Sequence, residues 1–307
     1  MLSNRIALVL VTALAPMIWG TTYYVTTELL PPDRPLLAGL IRALPAGLLL
    51  VAVTRRLPAG DWWWRAFVLG TLNIGAFFPL LFLAAYRLPG GVAATVGAIQ
   101  PLIVVGLSAA VLNDRLTVRK ALAGVAGVFG VALLVLRANA QLDLIGVIAA
   151  LAGAFVMGTG VVLSKRWVSP APLLAITGWQ LVAGGLLLLP FTLVFEGLPA
   201  TITGENVLGY AYLAIIGAAV AYALWFRGIR ALTAVNVTFL SLLSPMVATL
   251  VGWLALDQKL SLPQIIGAVI VLLSLITAQT TGGTHADNGV RSRGKRRAAS
   301  RDRSLVP

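Results

Sequence analysis

Apolar residues run along this chain in blocks too long for the helices or strands of a soluble core, and charged residues or Pro/Gly clusters punctuate them at short intervals. Ten blocks are read: Ile6–Thr27, Leu36–Thr54, Ala66–Tyr86, Val92–Leu112, Ala121–Leu136, Leu144–Ser164, Leu173–Phe195, Val207–Phe226, Ala234–Leu256 and Gln264–Thr280. Each approaches the about 20 residues that a helix needs to cross a bilayer, where backbone N–H and C=O groups must be satisfied within the segment. The pattern predicts an all-α membrane protein of ten transmembrane helices with no room for a soluble domain. In the first block Ala13-Leu14-Ala15 has the small-x-small form of a signal-peptide cleavage site. Pro16 follows it, however, and the apolar run continues to Val25, so the block is read as a retained span.

Composition agrees, at 59% apolar and 11% charged residues with a mean hydropathy of +0.94, against about 45–50% and about 25% in soluble domains. There is no cysteine and one histidine, His285, in a polar tail. Disulfide frameworks, thiolate metal sites and most imidazole chemistry are therefore excluded, and no cofactor or metal is expected. The net charge of +13 is a matter of placement. With a cytoplasmic N-terminus, eighteen of the 23 Lys and Arg fall on the inner side, so the positive-inside rule predicts a multi-pass plasma (cell inner) membrane protein with both termini cytoplasmic. The segment 282–307 is too polar to pack and is expected to be a disordered basic tail that sets topology or meets anionic lipid, with no nucleic-acid role.

The blocks repeat. At an offset of 138, Gly20-Thr21 matches Gly158-Thr159, Leu36 matches Leu174, Gly47-Leu48-Leu49-Leu50 matches Gly185-Leu186-Leu187-Leu188, and Arg42 falls opposite Gln180. At an offset of 144, Leu88, Pro101, Leu112 and Leu116 match Leu232, Pro245, Leu256 and Leu260, with Arg115-Leu116-Thr117 against Lys259-Leu260-Ser261. These matches divide the chain into two five-helix repeats, 1–138 and 139–281. Five is odd, so the second repeat enters the membrane in the opposite sense. Such 5+5 inverted repeats let two near-equivalent halves expose one central site to alternate sides, as secondary transporters do.

The Trp19-Gly20 pair in span 1, the intramembrane Arg42, Gln100-Pro101 and Ser244-Pro245 in the fourth span of each half, and the Asp114-Arg115-Leu116-Thr117 turn before a Gly-rich fifth span resemble the EamA family of the drug/metabolite transporter superfamily. The resemblance covers the membrane region in both halves. It departs at Asp257-Gln258-Lys259-Leu260, where Gln replaces an expected acid. Ile18-Trp19-Gly20-Thr21-Thr22-Tyr23 followed by Pro31-Pro32-Asp33-Arg34-Pro35 also resembles the PecM-like branch. The resemblance implies an exporter of small metabolites, with pigment-like compounds for that branch, and a possible dimer contact through the spans that end a half.

Candidate cavity residues follow from what hydrocarbon makes expensive. Arg42 is the one charged residue inside a predicted span; it either lines a water-filled cavity and holds a carboxylate, or anchors at the outer interface beside Glu28 or Asp33. Trp19, Thr22, Tyr23 and Thr26 share one helical face, combining rings with hydroxyls. Asn73 and Phe77 share a face of span 3, and Tyr222 and Trp225 one of span 8. Gln180 is the neutral counterpart of Arg42. Gln100 and Ser244 precede Pro101 and Pro245, whose missing N–H breaks the helix and frees carbonyls beside a polar side chain. Gly124, Gly127, Gly130, Gly153 and Gly158 provide small faces for helix approach. No nucleophile motif, zinc motif or phosphate-binding loop is present, which argues against an enzyme or an ATP-driven pump. The remaining alternatives are a secondary transporter of amino acids or related amphipathic and aromatic metabolites, and a scaffold or receptor without transport. With no Asp, Glu or His inside a predicted span, facilitated diffusion, exchange, or coupling through a carboxylate at a span end such as Glu28 fits better than a midplane proton relay.

Overall fold

The computed structural model describes residues 2–88, 96–114, 117–135, 143–255 and 261–280. The basic tail, the turns holding Arg115-Leu116 and Asp257-Gln258-Lys259-Leu260, and the start of predicted span 4 lie outside the described residues. Among the described residues there are helices and no strand. Span 1 is Leu2–Gly20 (α1) and Thr22–Leu29 (α2); span 2 is Pro35–Thr54 (α3). Span 3 is Trp62–Gly70 (α4) and Phe77–Arg87 (α5), joined by a π-helical turn at Thr71–Ala76. Gln100–Leu112 (α6), Val118–Val135 (α7), Leu144–Arg166 (α8) and Leu173–Phe191 (α9) follow, the last running into a π turn at Thr192–Glu196. Gly204–Ala214 (α10) and Ala221–Ala231 (α11) flank a third π turn at Ile215–Val220, and Ala234–Leu240 (α12), Leu243–Ala255 (α13) and Leu262–Thr280 (α14) complete the order. Eight of the resulting helices are long and apolar enough to cross a membrane. Predicted spans 4 and 5 correspond to the shorter α6 and to α7.

Local chemistry explains the breaks. The Thr21 hydroxyl and N–H both donate to Ile18 O, at 2.7 and 3.1 Å, a side-chain turn that competes with helix continuation. It ends α1, so the stripe from Trp19 to Thr26 is split between two helices. Turns at residues 98–99 and 241–242 directly precede the starts of α6 and α13, which place Pro101 and Pro245 in first turns where a missing N–H costs nothing. At the far end of α3 the Glu196 carboxylate accepts from Leu36 N and Leu37 N at 2.7 and 2.8 Å. This caps the positive helix terminus from another element.

Interhelical packing obeys the two sequence offsets. Helix α3 packs on α9 and α7 on α14, while α5 and α6 on α8 have counterparts in α11 and α13 on α1. A Cβ on Gly20 would lie 2.6 Å from Ser244 O and 2.7 Å from Val247; one on Gly158 would meet Ile103, Val104 and Gln100. Ser274 Oγ donates to Ala123 O at 2.6 Å, beside Gly130 against Gly267 O. A buried interhelical bond of this kind contributes about 1 kcal/mol in a membrane protein. Ser274→Ala is accordingly expected to lower the unfolding midpoint in detergent by a few degrees, and an unchanged midpoint would assign α7–α14 association to glycine packing alone.

Candidate functional site

Two of the π turns stand at the middle of the molecule, and both coincide with its buried polar groups. They occupy 71–76 and 215–220, an offset of 144, the same as that between Pro101 and Pro245. A π turn widens the helix by one residue and leaves backbone groups outside the regular ladder. At the second turn the Gly217 carbonyl accepts from Trp19 Nε1 and from Arg42 Nη2, both at 3.0 Å. At the first, Asn73 occupies the place of Gly217; its Nδ2 donates to Gln180 Oε1 at 2.8 Å and to Ser164 Oγ at 3.3 Å. Arg42 and Gln180, already paired by the 138 offset, thus reach corresponding turns of opposite halves.

Rings link these two polar centres. Trp19 lies 5.0 Å from Tyr222 and 5.1 Å from Trp225 between centroids, and Tyr222 lies 6.2 Å from Phe78. The Arg42 guanidinium sits 4.9 Å from the Phe78 centroid, where the negative face of the ring supplements the Gly217 carbonyl in compensating a cation that is only 2% exposed. Tyr222 Oη donates to Asn73 O at 3.4 Å. Asn73 Oδ1, Trp225 Nε1 and Gln100 Nε2 are among the buried side-chain atoms of the described residues that have no hydrogen-bond partner. Unsatisfied donors and acceptors in an apolar interior are costly, and groups of both kinds are what a solute exploits when it enters.

A cavity of about 220 Å³ approaches the seam from one end of the bundle. Its lining includes Trp62, Trp167, Lys165 and Arg230 at the mouth and Ser164 and Gln180 nearest the Asn73 pair. Lys165 Nζ donates to Ile229 O, Arg230 O and Leu232 O at 3.0, 3.2 and 2.7 Å, capping the carbonyl end of α11 from α8.

The EamA-like transporter family model matches this sequence twice, over residues 6–136 and 144–278. The chain belongs to that family. Within it the chain falls in the PecM-like branch of the drug/metabolite transporter superfamily: it is 49% identical to protein PecM of Dickeya dadantii, over 86% of this chain and 90% of that protein. A WAT1-related chloroplastic protein of Arabidopsis thaliana is 30% identical over 84% of this chain and 66% of its own length. A probable amino-acid metabolite efflux pump of Escherichia coli is 28% identical over 85% and 91%. A solved crystal structure superposes with a TM-score of 0.77 at 21% identity, covering 90% of this chain and 97% of its own, a likeness of fold. The protein is therefore a multi-pass membrane transporter of the EamA-like family, and its relatives are transporters rather than enzymes.

The EamA-like seam gathers Trp19, Arg42, Asn73, Gln180, Tyr222 and Trp225, with Phe77 joined through Phe78 at 6.0 Å. Arg42 does not sit at an interface beside Glu28 or Asp33; it is buried among α3, α5 and the π turn of span 8. Gln100 and Ser244 stand apart from the ring cluster, against Gly158 and Gly20. The side chain of Tyr23 lies outside the described residues. Neither the Gly217 carbonyl, nor Phe78, nor a site role for Ser164 is legible in the sequence pattern. The one available signal was the 144 offset, which sets Gly217 opposite Asn73.

Proposed function

We propose that this EamA-like protein is a secondary transporter of ten spans in a 5+5 inverted arrangement. It works by alternating access in the inner membrane, with both termini cytoplasmic, and exports amino acids or related amphipathic and aromatic metabolites. The observation that carries the reading is the correspondence of the two polar centres: Arg42 with Gly217, and Gln180 with Asn73, are related by the same offsets that relate the sequence halves. The paired helix contacts support it, since α5 and α6 on α8 have counterparts at those offsets in α11 and α13 on α1. Two quasi-equivalent centres on either side of a shared aromatic middle are what a carrier needs to exchange one conformation for its mirror. The cavity mouth lies at the end bearing Lys165, Arg166 and Arg230, which the positive-inside rule assigns to the cytoplasm. This conformation is then the inward-open one. Export accords with the similarity to the probable amino-acid metabolite efflux pump of Escherichia coli.

Counterflow tests the reading. Proteoliposomes loaded with pooled unlabelled amino acids, nucleosides and aromatic metabolites should take up labelled members of the accepted class, at a rate indifferent to an imposed pH gradient because no acid or histidine lies within the limits of the predicted spans. Absence of exchange with every pool, from protein shown to be folded and inserted, overturns it. Trp19→Ala removes an indole hydrogen bond and two ring contacts, together about 2 kcal/mol. The half-saturating concentration should rise roughly tenfold or more for aromatic and aliphatic substrates alike.

A further inference from the structure

Beyond the central seam, we infer that the mouth of the cavity is itself a binding site, selective for an aromatic carboxylate; its place on a transport route rests on the function proposed above, its chemistry does not. The inference comes from which hydrogen-bonding capacity the lining has left. Gln180 Oε1 and Ser164 Oγ already accept from Asn73 Nδ2. Ser169 Oγ accepts from Ala171 N at 3.2 Å. Each of these side chains retains a donor: the Gln180 Nε2 amide and the two hydroxyl protons. Lys165 has spent its three N–H groups on the carbonyls of Ile229, Arg230 and Leu232, so it has no donor left for a ligand. What Lys165 still supplies is positive charge, and Arg230, exposed at the rim, supplies charge and donors together.

Among the described residues, no carboxylate lines the cavity. Asp114, an exposed acid beyond α6, acts on Lys165 electrostatically from outside the lining. The site therefore combines unused donors with positive charge and no anionic group, and matches a ligand that presents oxygens and negative charge. The remaining wall is aromatic and fixed in place. Trp167 stands edge-on to Trp64 at 4.9 Å, and Trp62 packs 6.3 Å from Trp179, whose Nε1 is tied to Arg56 O at 2.7 Å. Rings held by other rings offer a preorganised face to a planar ligand at little entropic cost. A volume of about 220 Å³ admits one or two fused rings with a carboxylate and excludes large pigments as single occupants of the mouth.

Isothermal titration calorimetry of the full chain in nanodiscs, with benzoate, benzyl alcohol and acetate as probes, tests the site. Benzoate should bind saturably, and benzyl alcohol and acetate each about tenfold or more weakly, since one lacks the charge and the other the ring. Arg230→Gln, at an exposed position with no packing role, should weaken benzoate about tenfold and leave benzyl alcohol unchanged. Trp167→Leu should weaken both ring compounds. Equal binding of benzoate and benzyl alcohol, unaltered benzoate binding by Arg230→Gln, or no benzoate binding would each overturn the inference. The transport proposal fails separately. Missing counterflow alongside the predicted benzoate pattern leaves the mouth site standing, whereas active counterflow without benzoate selectivity removes the mouth site alone.

Discussion

Arg42→Gln is expected to reduce counterflow of carboxylate-bearing substrates by roughly ten- to a hundredfold in apparent affinity, while neutral substrates of the same size change little. The magnitude is that of one hydrogen-bonded charged partner in a desolvated site, about 1.5–3 kcal/mol. Glutamine is the informative replacement because the repeat supplies it: Gln180 occupies the corresponding place in the other half and is accommodated there beside a π turn. A folding defect is therefore not expected, and membrane insertion and monodispersity can be checked independently. Arg42→Lys should restore little. The guanidinium both donates to Gly217 O and sits over the Phe78 ring, 4.9 Å from its centroid, a combination that a compact ammonium on a flexible stem does not reproduce. Equal transport of anionic and neutral substrates by wild type and a correctly inserted Arg42→Gln variant would take Arg42 out of the substrate path and leave it a structural cation.

The asymmetry between Arg42 and Gln180 also bears on direction. On the proposed topology Arg42 lies toward the outer side and Gln180 toward the cytoplasm. A solute reaching the middle from the cavity passes a neutral amide pair before it meets a buried cation. The field inside the seam then draws an anion away from the cytoplasmic mouth.

How much of this was legible in the sequence depended on whether a feature is a property of side chains or of backbone geometry. Span positions followed from apolar run length, which the bilayer enforces on every segment, and α3, α8, α9 and α14 begin and end close to the predicted limits. Pro101 and Pro245 marked the two helix restarts because a missing N–H has a single consequence for helix geometry. The π turns were invisible: Thr71–Ala76 and Ile215–Val220 share no residue type at matched positions, and nothing in a list of side chains announces a backbone widened by one residue. With them went the Gly217 carbonyl, the acceptor on which Trp19 and Arg42 converge. The stripe through Trp19, Thr22, Tyr23 and Thr26 was a sound pattern on an unbroken helix. One threonine hydroxyl bonding back to Ile18 ended that helix in its middle. Lys165, counted only toward topology, acquired a role once α8 and α11 were side by side, a juxtaposition across 64 to 67 positions of chain.

The other large effect is expected at a residue with no polar atom in its side chain. Gly47→Ala should destabilise the folded protein by about 2–3 kcal/mol, because the new Cβ would stand 2.6 Å from Val182 N and 2.9 Å from Leu181 Cβ. Both neighbours belong to the middle of α9, where backbone cannot shift without separating α3 from α9 along their whole contact. Gly185 meets Leu44 in the reciprocal way, at 2.8 Å from Cβ and 3.0 Å from backbone nitrogen, so the crossing is locked by one glycine from each helix. Gly185→Ala should cost a similar amount. Gly106→Ala is the control: it sits in α6 with no atom within 4 Å of a built Cβ, and a helical Gly→Ala change in open space is neutral or stabilising by up to about 1 kcal/mol. Thermal unfolding in detergent, followed by circular dichroism, should place the two crossing variants roughly 5 °C or more below wild type and the control at or above it. Because α3 carries Arg42 and α9 carries Gln180, the crossing also fixes the spacing of the two polar centres, and the crossing variants should lose counterflow at temperatures where they are still folded. Midpoints for Gly47→Ala and Gly106→Ala that coincide would show that the α3–α9 contact yields without cost, and with it the rigid spacing that the site requires.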